Sequence, residues 1–225
     1  MKSKLAKVIT KKVPNRTYTS SKANEDEDED EDFEPKCKQL GYFQRVSQVS
    51  EIVIYIDEDF GEPSKYRNVC NAVANTGPDD IIKFEIASYG GMLDGLTSLL
   101  SAIAKTEAIT EATINGPCKS AGAFLALSCD NVYVTPYADF MIHYITFGSK
   151  GKASDVMAHV KHTTDYTEGL FKDTFKYFMT DDEIELALQG KEFHMKADEI
   201  IERMKVKMKI LEELEGELDN DEFEE

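Results

Sequence analysis

Five short apolar stretches set the possibilities for this chain: EIVIYI (51–56), IIKFEIA (81–87), AITEATI (108–114), VYVTP (132–136) and FMIHY (140–144). Each is rich in β-branched or aromatic residues and too short for a helix, so each reads as a strand. Helical patterns separate or follow them. Val69, Val73 and Ala74 suit a helix over 64–75 that Pro78 ends. Met92, Leu93, Leu96, Leu99, Leu100, Ile103 and Ala104 share one face at 3.6 residues per turn. Val156, Met157, Val160, Leu170, Phe171, Phe175 and Phe178 mark a long helix over about 155–178. Thr180 and Glu183 form the pattern of a capping box, and a last helix begins near Ala197. Strands alternating with helices predict an α/β fold around a mainly parallel sheet.

Charge divides the chain further. Residues 1–22 carry Lys and Arg but no acid, whereas 25–34 read EDEDEDEDFE. Such a block repels itself and offers little apolar surface to bury. The division expected is an N-terminal arm over 1–45, basic then acidic and disordered, a folded body over 46–204, and a helix end with an acidic tail over 205–225. The net charge of -17 argues against a nucleic-acid partner, because phosphates attract Lys and Arg. No run of about 18 apolar residues is present, so no membrane partner is expected. The basic N-terminus lacks the apolar centre of a secretory signal, and a cytoplasmic location is expected. Cys37, Cys70, Cys118 and Cys129 form no C-x-x-C pair; reduced thiols and no metal site are expected. His159 and His162 stand three apart on the long helix without a carboxylate pattern to complete a metal site, and read as polar surface.

Three segments carry residues suited to chemistry. In GPCKSAGAFLAL (116–127), Gly and Pro precede an apolar helical run, which puts Ser120 at a helix start. The first N–H groups of a helix lack intrahelical partners and can stabilise negative charge developing beside a serine. A serine there also reads as an ordinary cap. In SYGG (88–91), the paired glycines let backbone approach a ligand closely, or simply make a tight turn. In DFMIH, His143 follows a strand, where an imidazole reads as a packed core residue or as a general base.

Taken in order, SYGG, GPCKSAGAFL and PYADFMIH resemble the ClpP family of serine peptidases over about residues 50–200. Family members show S-P-G-G between a strand and a helix, then a G-x-A-A-S-M-G serine turn, then P-N-S-x-x-M-I-H. GKEFHMKADE (190–199) is similar to the family's F-M-S-A-E-E-A stretch. The resemblance implies a ClpP/crotonase-like spiral of ββα units with the long helix as its handle. It implies Ser120 as nucleophile and His143 as base, with Gly90, Gly91 and Ala121 lining the oxyanion hole. It further implies hydrolysis of protein and peptide substrates without a cofactor, a homo-oligomeric ring, typically heptameric and often stacked, and an AAA+ unfoldase partner. No G-x-x-x-x-G-K-[ST] is present, so an ATPase is a separate chain. Viral capsid-maturation proteases share the resemblance; in that setting the location is the host cytoplasm.

The chain departs from the family pattern at several positions. Tyr89 replaces the proline of the glycine turn, and Cys118-Lys119 replaces Ala-Ala before the serine. Lys119 raises a Ser–Lys mechanism, which the differing directions of adjacent side chains disfavour. The family's third catalytic residue is an aspartate, but none lies between Asp182 and Asp198, and Leu188 or a neighbour takes its place. Glu192 is the preferred substitute and Glu185 the other; a Ser–His dyad or a silent site also fits. A catalytically inactive ring or assembly subunit is therefore the main rival reading, and a crotonase-type acyl-CoA enzyme a third.

Overall fold

The computed structural model describes residues 7–8, 42–45 and 50–221, with side chains from 50 to 214. Elements in chain order are β1 (Lys7–Val8), β2 (Tyr42–Arg45), β3 (Glu51–Ile56), α1 (Arg67–Ala74), β4 (Ile81–Ser88), α2 (Leu93–Ile103), β5 (Ile109–Lys119) and α3 (Ala121–Leu127). Then come β6 (Asn131–Val134), β7 (Asp139–Ile142), α4 (Ala153–Phe175), α5 (Asp181–Leu188), β8 (Phe193–Lys196) and α6 (Ala197–Asp221). The strands β1 and β2 fall within the N-terminal arm; the acidic block at 25–34 lies outside the described residues.

The sheet runs β1-β6-β5-β4-β3-β2. Along this path the pairs are parallel except β2 on β3. Alternate residues point to one buried face: Ile52, Ile54 and Ile56 on β3, and Ile82, Phe84 and Ile86 on β4. The mixed α/β architecture agrees with the sequence reading, with two differences that matter for the site. The strand expected to end at Ile114 continues through Asn115-Gly116-Pro117 to Lys119. Its first half pairs with β6 and its last three residues with β7, so β5 changes partner at the dipeptide that reads as a turn. The segment at 193–196 is also a strand, antiparallel to β7. The first helix is shorter than expected, a 3-10 turn over Pro63–Tyr66 giving way to α1.

All seven residues of α3 are buried, the pattern of a helix surrounded by protein. Phe124 meets Phe171 and Phe175 of α4 at ring distances of 5.8 and 4.6 Å. Only the C-terminal part of α4 is anchored in this way; residues 153–162 include no buried side chain. His159 and His162 are exposed. The capping box of α5 is present as read from sequence, with the Thr180 hydroxyl accepting from Glu183 N–H. Arg203 of α6 grips the Glu183 carboxylate with two hydrogen bonds of 2.7 and 2.8 Å. No described helix is long and apolar enough to cross a membrane.

Candidate active site

The end of β5 delivers Ser120 into a conformation that few residues adopt. Its φ is 50° and its ψ -117°, a left-handed backbone that costs a non-glycine residue about 1–3 kcal/mol. Hydrogen bonds on both sides hold it there. Its N–H donates to Met141 O at 2.9 Å, extending the β5–β7 ladder, while its carbonyl accepts from Ala123 and Phe124 N–H at the start of α3. The hydroxyl caps no amide of α3. It lies instead 2.8 Å from His143 Nε2. His143 follows the last residue of β7, and β7 is the strand paired with the end of β5. The two residues, 23 positions apart in sequence, thus meet because their strands are neighbours.

The glycine pair closes over the serine. Gly90 and Gly91 have φ of +109° and +135°, both in the region that favours glycine. A Cβ on Gly90 would stand 2.7 Å from Ser120 Cβ and 3.0 Å from Lys119 O. A Cβ on Gly91 would collide with the Phe60 backbone at 2.4 Å. Phe60 N–H donates to Gly90 O and Phe60 O accepts from Met92 N–H, so this bridge turns the N–H of Gly91 to the opposite side. Gly90 N–H is taken by Ser88 Oγ at 3.2 Å, and that hydroxyl donates to Glu58 O. Among the described residues, the N–H groups of Gly91 and Ala121 have no acceptor. Ala121 N would lie 3.3 Å from a Cβ on Gly90, which puts that amide beside the serine turn.

Lys119 does not turn to the serine. Its ammonium pairs with Asp139 Oδ2 at 2.6 Å and sits 5.4 Å from the centre of the exposed Tyr89 ring. The acids considered for the third role make other contacts. Glu185 pairs with Lys172 at 3.5 Å, and Glu192 Oε2 is 3.4 Å from His194 Nε2. Leu188 packs partly buried against the core. Among the described residues no carboxylate hydrogen-bonds to His143.

Ser88, Phe60 and Met141 shape the site through a hydroxyl and two backbones; Ser88 and Met141 stand in stretches already singled out, whereas no motif in the sequence announces Phe60. Cys118, directly beneath the turn, is a free buried thiol whose ionisation burial pushes well above the ordinary thiol value. Cys70 and Cys129 are free as well, and Cys37 lies outside the described residues. No group of three or more His, Cys, Asp or Glu side chains among the described residues is placed to hold a metal ion.

A hydroxyl in contact with an imidazole, beside backbone amides without acceptors, is the arrangement that acyl transfer through an oxyanion requires. Comparison with curated proteins returned no match. The sequence model of a protein family described as Clp protease matches residues 62–203, a span that includes the glycine pair, the serine turn, the histidine and α4. That match covers more than half of the 225 residues, and the α/β fold agrees with it, so this chain belongs to the Clp protease family.

Proposed function

We propose that this Clp-family chain is a serine endopeptidase subunit that cleaves peptide bonds through an acyl-enzyme on Ser120. The 2.8 Å contact between Ser120 Oγ and His143 Nε2 carries the reading. Ser120 Oγ attacks the scissile carbonyl carbon as His143 takes the hydroxyl proton. The carbonyl oxygen becomes an oxyanion, which the N–H groups of Gly91 and Ala121 receive. Gly90 contributes by absence, since any side chain there would displace the serine. The C–N bond then breaks, and His143 gives its proton to the departing amine. Water, deprotonated by His143, attacks the ester, and release of the acid restores the serine.

The oligomeric part of the proposal follows the habit of the family: a ring, typically heptameric, fed by an AAA+ unfoldase or acting alone in capsid maturation. The unburied first half of α4, with Met157 73% exposed, supports a role for that helix in assembly.

A fluorophosphonate probe tests the chemistry. Wild-type assemblies label at Ser120, and Ser120→Ala abolishes the signal. The absence of a carboxylate on His143 among the described residues favours the second reading, a silent ring subunit; a properly assembled protein that resists the probe establishes that reading instead.

A further inference from the structure

The sheet face that carries His143 holds a second imidazole. The antiparallel ladder of β7 and β8 sets Met141 opposite His194 and Ile142 opposite Phe193. The ladder ends there; continued one step, its register would set His143 opposite Glu192. Residues facing one another across a ladder share a face, as do alternate residues of a strand. Phe140, Ile142 and Met195 are buried on one side; Met141 and His194 belong to the other, the side on which the continued register would put His143 and Glu192. Ser120 approaches His143 from β5, so Glu192 flanks the imidazole from the opposite strand. Facing Cβ atoms in such a ladder are about 4.5–5.5 Å apart, within the span of a glutamate side chain. Yet the Glu192 carboxylate rests against His194 at 3.4 Å. The other acid on this face, Asp139, is held by Lys119.

We propose that His194 is a positioning residue which governs whether Glu192 serves His143. The two imidazoles compete for one carboxylate, and the structure shows it parked on His194. The contact is long, and both side chains are more than half exposed, at 58% and 56%. Exposed pairs of this kind are weak, so the two placements differ in population by only a few-fold. The effect on rate rests on the hydrolase reading above; the placement of the carboxylate does not.

The test uses the full-length assembled protein, with wild type, His194→Ala, His194→Gln, Glu192→Gln and the double variant His194→Ala/Glu192→Gln. Fluorophosphonate acylation rates and kcat and KM for a fluorogenic peptide are measured, and the His194→Ala crystal structure is solved. His194→Ala is expected to raise acylation and kcat about two- to fivefold at unchanged KM. His194→Gln, which keeps an N–H donor, returns wild-type behaviour. In the Glu192→Gln background the His194→Ala gain vanishes. The crystals should show the Glu192 carboxylate within hydrogen-bonding distance of His143 Nδ1. An unchanged rate in labelled protein, a gain that persists without the glutamate, or a carboxylate that stays away from His143 overturns the proposal. If no variant labels while the carboxylate has moved in the crystals, the hydrolase reading fails and the competition stands.

Discussion

Ser120 and Gly90 are complementary halves of one contact. The serine takes a strained φ of 50°, and the glycine leaves the space into which the strained residue fits. Gly90→Ala introduces an atom 2.7 Å from Ser120 Cβ at a φ of +109°. Its expected cost is about 1–3 kcal/mol of stability, seen as a lower Tm, with a larger loss of fluorophosphonate labelling because the serine must shift. His143→Ala should lower kcat for peptide hydrolysis by about three orders of magnitude while the protein stays folded by circular dichroism. At this scale the sequence was informative wherever chemistry and motif coincide. Ser120, His143 and the glycine pair stand in stretches whose order is distinctive. The seat of Glu192 was not legible, because it depends on the β7–β8 register, which no local pattern announces. The assignment of amides was also hidden: Gly90 N–H goes to Ser88 Oγ, leaving the N–H of Gly91.

Elements succeed or fail in sequence according to whether their signal is local. The helix at 181–188 was visible because its cap is made by neighbours, Thr180 and Glu183. The end of β5 was not, because Asn-Gly-Pro reads as punctuation, whereas pairing with β7 keeps the chain extended. Two long-range contacts of α6 have measurable pH signatures. The hydrogen bonds of Arg203 hold the Glu183 carboxyl at about 2, below its ordinary 4.5. This pairing stabilises the fold fully above the unfolded value, and the contribution is lost as pH falls from about 4.5 through about 2. Glu183→Gln should cost about 1–3 kcal/mol at neutral pH and flatten the acid limb of a Tm-against-pH curve. Lys207 shares that sign with pH, but here it is the charged form that burial disfavours. Its buried ammonium donates to Leu127 O at 3.4 Å, and desolvation lowers its pKa to about 8 from 10.5. The unfolded chain binds the extra proton between those values, so this group adds stability as pH rises from about 8 to 10.5. Lys207→Met should raise Tm at pH 7 and remove that alkaline gain, as differential scanning fluorimetry would show.

At the scale of the whole molecule, the α/β class was readable because alternation of strands and helices survives any error in their limits. Assembly was less readable, since a single chain does not reveal which exposed residues meet a neighbour. Met157 and Val160 are 73% and 40% exposed on the unburied part of α4. Under the ring proposal, Met157→Glu should shift the protein to smaller species in mass photometry while leaving the protomer's unfolding free energy within about 0.5 kcal/mol of wild type.

The ten residues at 153–162 reach about 15 Å along the helix axis, and their fixed end runs from the Tyr144 hydroxyl on Thr164 and Thr167 to the stack of Phe124, Phe171 and Phe175. A rod clamped at one end passes any torque it receives to the clamp. Here one member of the clamp belongs to the short helix that begins immediately after Ser120. Under the ring and peptidase proposals, a neighbour that grips the free end would pull on the serine's own support, so docking and reactivity would share a mechanical connection only a few side chains long.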